Sequence, residues 1–200
     1  MILTADLDGL YMHCGVAELA SSEAAVAAAV DGLDLVHLNP GVATGGGVED
    51  DFDLDAYRRA MGINLDGVVF GAHGAIPALR AWGRGTIIAT ADMAGSVAVA
   101  GEPIYGAYKP WWVFLRSLAP ARAGNSVAVQ ALCPSFAATA LIAPLRSFIE
   151  GRVFPILAFE DVVDCFFQIL DSDATGGCWF VVPGRPSEPF HFRSAPGPRA

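Results

Sequence analysis

Thr86-Ile87-Ile88-Ala89-Thr90, followed at once by Ala91-Asp92, is apolar at consecutive positions and closes on small and polar residues. A run of this kind reads as a strand, and its lack of strict alternation suits a parallel sheet covered on both faces. Working outward, a helix is expected from about Ile104 to Ala121, and then a second strand at Ser126-Val127-Ala128-Val129-Gln130-Ala131-Leu132. On the other side, Leu33-Asp34-Leu35-Val36-His37-Leu38 reads as a strand ended by Asn39-Pro40-Gly41. One long helix is expected over Leu54–Leu79, where Met61, Leu65, Val68, Val69, Ala72 and Ile76 fall at spacings of three and four. Further helices are expected at Ser22–Val30 (capped by Ser21 or Ser22), Ala137–Phe148 and Phe159–Leu170. Strands are expected at Ile2–Ala5, Leu10–Cys14 and Cys178–Val182. Strands alternating with helices imply βαβ units and an α/β fold with a doubly wound parallel sheet.

At 200 residues the chain suits a single domain over residues 1–182, with 183–200 as a Pro-containing C-terminal tail, disordered or draped on the surface. The composition is 54% hydrophobic and the mean hydropathy is +0.45, which a doubly covered sheet explains. The longest uncharged stretch, Val127 to Leu145, is broken by Gln130, Pro134, Ser135, Thr139 and Pro144 and is no membrane span. A net charge of −9 and no run of five basic residues argue against nucleic acid as a partner. Cys14, Cys133, Cys165 and Cys178 form no C-x-x-C pair, and apolar neighbours surround Cys133 and Cys165, so buried reduced thiols are expected there. The four histidines have no paired metal-ligand spacing, so no metal site is expected. Met1-Ile2-Leu3-Thr4-Ala5-Asp6 has no basic leader, from which a cytoplasmic location is expected.

Chemistry enters with Tyr105-Gly106-Ala107-Tyr108-Lys109. A Tyr and a Lys four apart share a helix face, so the ammonium can lie near the phenol. A nearby positive charge favours the tyrosinate and draws a phenol down from about 10. The product is an acid/base suited to moving a proton at an alcohol oxygen. Trp111, Trp112, Phe114 and Leu115 are expected in core or dimer packing.

Three further stretches stand in register with this pair. Leu38-Asn39-Pro40-Gly41-Val42 resembles the N-A-G that ends strand four of the short-chain dehydrogenase/reductase family. Asn64-Leu65-Asp66-Gly67 resembles its N-x-x-G, and Pro134-Ser135-Phe136-Ala137-Ala138-Thr139 resembles its P-G-x-x-x-T after strand six. The resemblance covers nearly the whole chain, and residues Phe159–Phe192 are loosely similar to the 15-hydroxyprostaglandin dehydrogenase-like branch. It implies a Rossmann-like sheet and an NAD(P)-dependent oxidoreductase acting on a secondary alcohol or ketone, as a homodimer or homotetramer. It implies that Tyr105 is the acid/base, that Lys109 binds the nicotinamide ribose and that Asn64 holds a water in a proton relay. Asn39 and Gly41 would line the adenosine side, and Pro134 and Thr139 would cover the nicotinamide. Asp6 would bond the adenosine ribose and favour NAD over NADP.

The chain also departs from this pattern. The family opens with a strand and a T-G-x-x-x-G-x-G loop that admits the pyrophosphate, and no such stretch precedes Asp6. The expected sheet therefore lacks the usual first βα unit, and the family's strand order 3-2-1-4-5-6-7 loses its central member. Thirteen residues before Tyr105, where the family has its catalytic Ser, stands Asp92, and Thr90 is a poor substitute two residues earlier. Ionised Asp92 can only accept hydrogen bonds and would raise the Tyr105 pKa, whereas a protonated Asp92 could donate. Ser135 replaces a Gly, and Pro110 after Lys109 fits a helix whose first turn starts near Gly106. Two readings follow: a dehydrogenase of this family, or a non-catalytic Rossmann-like dimerising or scaffold protein that has lost cofactor binding.

Overall fold

In the computed structural model, residues 9, 11–29, 32–45, 47–96, 99, 102–121, 127–151 and 155–192 are described. Four parallel strands, β1 (Leu35–Leu38), β2 (Gly85–Thr90), β3 (Val127–Pro134) and β4 (Cys178–Val181), lie side by side in chain order. A short β5 (Glu188–Pro189) closes the sheet antiparallel to β4. The helices are α1 (Leu19–Ala27), α2 (Leu54–Met61), α3 (Gly67–Ala81), α4 (Pro103–Tyr108), α5 (Trp112–Ala121), α6 (Arg146–Gly151) and α7 (Phe159–Leu170).

The sheet is covered on both faces, as the consecutive apolar positions require. Ile87, Val127 and Val129 pack with Ala72, Ala75, Ile76 and Leu79 of α3 and Ala119 of α5. Their neighbours Ile88, Leu132, Trp179 and Val181 point the other way, onto Cys165 and Ile169 of α7. This is the doubly wound parallel arrangement expected from the alternation of strands and helices. Cys133, Cys165 and Cys178 are buried free thiols. No described helix is long and apolar enough to cross a membrane.

Several boundaries differ from the sequence expectation, each for a physical reason. Ile2–Ala5 lies outside the described residues. Residues 11–14 form no strand: Tyr11 and Met12 are exposed, and Gly15 N–H donates to Ser21 Oγ at 2.8 Å, so the segment serves as the lead-in to α1. The helix starts at Leu19, after Glu18, so Ser21 and Ser22 lie inside it and do not cap it. The long helix is interrupted by a π-turn at Gly62–Asp66, and the one over 104–121 by a 3₁₀ turn at Lys109–Trp111. Pro110 sits in that turn, where its missing N–H removes no α-helical bond. The helix starts at Pro103, one residue before the expected Ile104, so Pro110 is accommodated by the 3₁₀ turn and not by a helix start near Gly106. The expected helix Ala137–Phe148 resolves into a bridge between Ala137 and Leu157, a 3₁₀ segment Ala140–Leu145 and then α6. The tail is draped through Phe192: Phe190 N–H donates to Cys178 O at 2.8 Å, and Phe192 stacks on Trp112 with ring centroids 4.5 Å apart.

Candidate active site

The carboxyl ends of β1, β2 and β3 deliver three loops to one edge of the sheet, the place where open α/β sheets bind ligands. β1 leads into Asn39-Pro40-Gly41-Val42, β2 into Ala91-Asp92, and β3 into Ser135. Asn39 and Gly41 are exposed there, and Pro134 is buried at the end of β3. Thr139 is exposed, directly ahead of the 3₁₀ segment. Asp6 lies outside the described residues.

Asn64 is fully buried in the π-turn. Its Nδ2 donates to Ala60 O at 2.8 Å and to Val42 O at 3.0 Å, while its Oδ1 accepts from Val42 N–H at 3.1 Å. The insertion that makes the π-turn rotates Asn64 toward the β1 loop. Gly67 permits the close packing: a Cβ there would meet Val16 at 3.2 Å and Pro40 at 3.4 Å. Tyr108 Oη donates to the same Val42 carbonyl at 3.0 Å, so the π-turn and α4 hold one loop between them.

Tyr105 and Lys109 are both buried, on one side of the α4 helix and its 3₁₀ continuation, with the Lys109 ammonium 5.1 Å from the Tyr105 ring centroid. Tyr105 Oη donates to Asp92 Oδ2 at 2.6 Å, and Asp92 Oδ1 accepts from Ala94 N–H at 2.7 Å. Thr90 does not join them, because its hydroxyl is paired with His37 Nε2 at 2.9 Å on β1.

The electrostatics correct one expectation. Lys109 does not draw the Tyr105 phenol down. Burial pushes that phenol far above the ordinary range, and the Asp92 charge and hydrogen bond add to it. Tyr108 is raised as well, by burial and then by Glu102. Asp92 is raised by burial against the opposing pull of Tyr105, Ala94 N–H and Lys109. Burial lowers Lys109, with Asp92, Cys133 and Glu102 opposing. The cluster joins the Tyr105 phenol to the Asp92 carboxyl group, with the Lys109 amine over the ring face.

Glu102 and Tyr108 are contributors that the sequence did not single out. One carboxylate oxygen of Glu102 accepts from Thr44 N–H at 2.8 Å, Thr44 Oγ1 at 2.6 Å and Gly45 N–H at 3.1 Å. The loop after β1 is thereby tied to the residue that precedes α4. For Tyr108 a signal was present, since it lies three residues after Tyr105 on the same helix face.

One buried polar atom at this edge, Ser135 Oγ, has no hydrogen-bond partner. The Lys109 side chain, 3% exposed, lies over the Tyr105 ring at the same edge. An unsatisfied hydroxyl and a cationic side chain at the carboxyl ends of parallel strands fit a ligand rich in hydroxyl and amide groups, such as the ribose and carboxamide of a nicotinamide dinucleotide.

A family model described as short chain dehydrogenase matches residues 5–150. The chain belongs to this family. Among curated relatives, this chain is 40% identical over 107 residues to trans-4-hydroxycyclohexanecarboxylate dehydrogenase of Sinomonas cyclohexanicum, covering 52% of this chain and 40% of that one. It is 28% identical over 177 residues to cyclohexanol dehydrogenase of Acinetobacter sp. strain SE19, covering 84% and 70%. The chain thus spans less than half the length of the first of these relatives. Its fold matches the crystal structure of NADPH-dependent 3-quinuclidinone reductase from Rhodotorula rubra with a TM-score of 0.78, at 21% identity, over 86% of this chain and 70% of that one.

Proposed function

We propose that this short-chain dehydrogenase transfers a hydride between a nicotinamide dinucleotide and a secondary alcohol or its ketone, with an alicyclic ring as the favoured carbon skeleton. The observation that carries the reading is the buried Lys109 side chain, its ammonium 5.1 Å from the Tyr105 ring centroid, at the carboxyl edge of a parallel sheet. The two relatives described above act, by their names, on hydroxylated cyclohexane rings, which supports the choice of skeleton.

The dinucleotide, when bound, supplies the hydride acceptor or donor. Lys109 would hold its nicotinamide ribose, Asn39 and Gly41 would line the adenosine side, and Pro134 and Thr139 would cover the nicotinamide. Asp6 would take the adenosine ribose. Asn64 would act through Val42, fixing the loop against which the ribose rests. Tyr105 and Asp92 would meet the substrate oxygen, one holding a proton and the other able to accept one.

The test is energy transfer from the protein's tryptophans to the reduced dinucleotide. Titration with NADH and with NADPH should give saturable sensitised emission with at least one of them. Cyclohexanol and the oxidised form of that dinucleotide should then yield absorbance of the reduced form. No emission with either nucleotide would overturn the reading and leave the dimerising or scaffold alternative.

A further inference from the structure

We propose that Asp92, rather than Tyr105, is the base that takes the proton of the substrate hydroxyl. The inference rests on the dehydrogenase reading above and assigns the proton within it.

The geometry favours the carboxylate on three counts. First, the single proton of Tyr105 is already given to Asp92 Oδ2 at 2.6 Å. For Tyr105 to act as a base it must first lose that proton beside a negative charge, which burial and the carboxylate both oppose. Second, Asp92 is oriented for the task. Ala94 N–H holds Oδ1 and the phenol holds Oδ2, so the rotamer is fixed while each oxygen keeps a further lone pair. Third, Asp92 is only partly buried, at the start of the loop that leaves β2, so a substrate and then water can reach it.

The groups facing Asp92 are Tyr105 and Lys109 from the catalytic helix and its continuation, Tyr108 one turn along, and Cys133 from β3. Glu102 acts on it at second hand, through Tyr105, Tyr108 and Lys109. Burial outweighs the phenol, the Ala94 amide and the ammonium, so Asp92 holds a proton more readily than an ordinary carboxylate.

In alcohol oxidation the O–H bond of the substrate breaks and its proton passes to Asp92. The carbinol C–H bond breaks and its electron pair leaves as hydride to the oxidised nicotinamide dinucleotide. The C–O bond becomes C=O, and neutral Asp92 releases the proton to water. Ketone reduction runs the same path backwards, with neutral Asp92 as the acid and the reduced dinucleotide as hydride donor.

The experiment pairs a titration without cofactor and a pH profile. Carbon NMR of protein labelled at aspartate carboxyls, assigned through Asp92→Asn, gives the Asp92 titration directly. In the dinucleotide-loaded enzyme, kcat/KM for cyclohexanol oxidation should rise with pH through that same value. Asp92→Asn keeps the size and the acceptor for Ala94, and it should remove the rise and lower the rate about 10²–10⁴-fold. Tyr105→Phe deletes a hydrogen bond that favours the carboxylate, so the NMR titration and the rate limb should move together to higher pH. A limb in the alkaline range that survives Asp92→Asn, or an Asp92→Ser variant faster than the parent, would return the proton work to Tyr105 and overturn the proposal. Absence of both nucleotide emission and turnover in the parent and every variant would instead remove the dehydrogenase reading, and this inference with it.

Discussion

Asn64 Nδ2 and Tyr108 Oη donate to one atom, the carbonyl oxygen of Val42, each at 3.0 Å. The loop that follows β1 is therefore fastened by the π-turn and by the helix bearing Tyr105, and neither can move without it. Asn64→Ala strips Val42 N–H and Ala60 O of their buried partner. We expect a loss of about 2–3 kcal/mol, read as a lower urea midpoint with unchanged slope.

Gly95 has no room for a side chain. A Cβ there would lie 2.7 Å from Lys109 O and 2.8 Å from Trp112 Nε1. Gly95→Ala must push the 3₁₀ turn away from the loop that carries Asp92. The expected cost is about 1–3 kcal/mol. Because Lys109 moves with its backbone, weaker nucleotide emission should accompany it in the titration above.

Lys109 is costly to the fold. Its pKa is lowered because burial outweighs attraction to Asp92, Cys133 and Glu102 together. The folded state thus binds this proton less tightly than the unfolded chain. That penalty is complete below the folded value and fades as pH rises from there toward the unfolded value of about 10.4. Lys109→Met should raise the unfolding free energy at pH 7 by about 1 kcal/mol, with the gain shrinking in alkali. It should also abolish nucleotide emission. Thermal melts across pH decide the first point, and the titration decides the second.

Phe192 stacks on Trp112 at 4.5 Å, meets Phe190 at 4.8 Å and carries the Arg116 guanidinium 4.0 Å above its ring. Phe192→Ala should cost about 1–2 kcal/mol. It should shift tryptophan emission to the red as Trp112 meets water. An unchanged spectrum would mean that the tail does not cover this ring in solution.

What the sequence disclosed follows from how local each signal is. Helix α7 was readable to the residue, Phe159–Leu170, because its apolar spacing and bounding residues lie within one short window. The strand at 86–90 and its neighbours were readable because sheets covered on both faces leave consecutive apolar residues. The π-turn was not, since it is fixed by Val42 and Pro40, some twenty residues away. Leu10–Cys14 looked like a strand from composition alone, but pairing decides strands, and residues 11–14 find no partner. At the site, the thirteen-residue interval between Asp92 and Tyr105 showed that the family Ser was replaced. The hydrogen bond between them needs β2 and α4 to converge. The Glu102 clasp on Thr44 joins residues that no spacing rule connects.

The short β5 strand has a consequence for what this sheet can join. Its second residue, Pro189, lacks an amide hydrogen, and the strand spans two residues, so that border offers almost nothing for another chain to zip onto. Among the described residues, β1 pairs only with β2. Within that described sheet β1 is the longer border strand, and its carboxyl end runs into the loop over residues 39–42 that Asn64 and Tyr108 hold. A strand laid along Leu35–Leu38 would bear on that loop, at the candidate site.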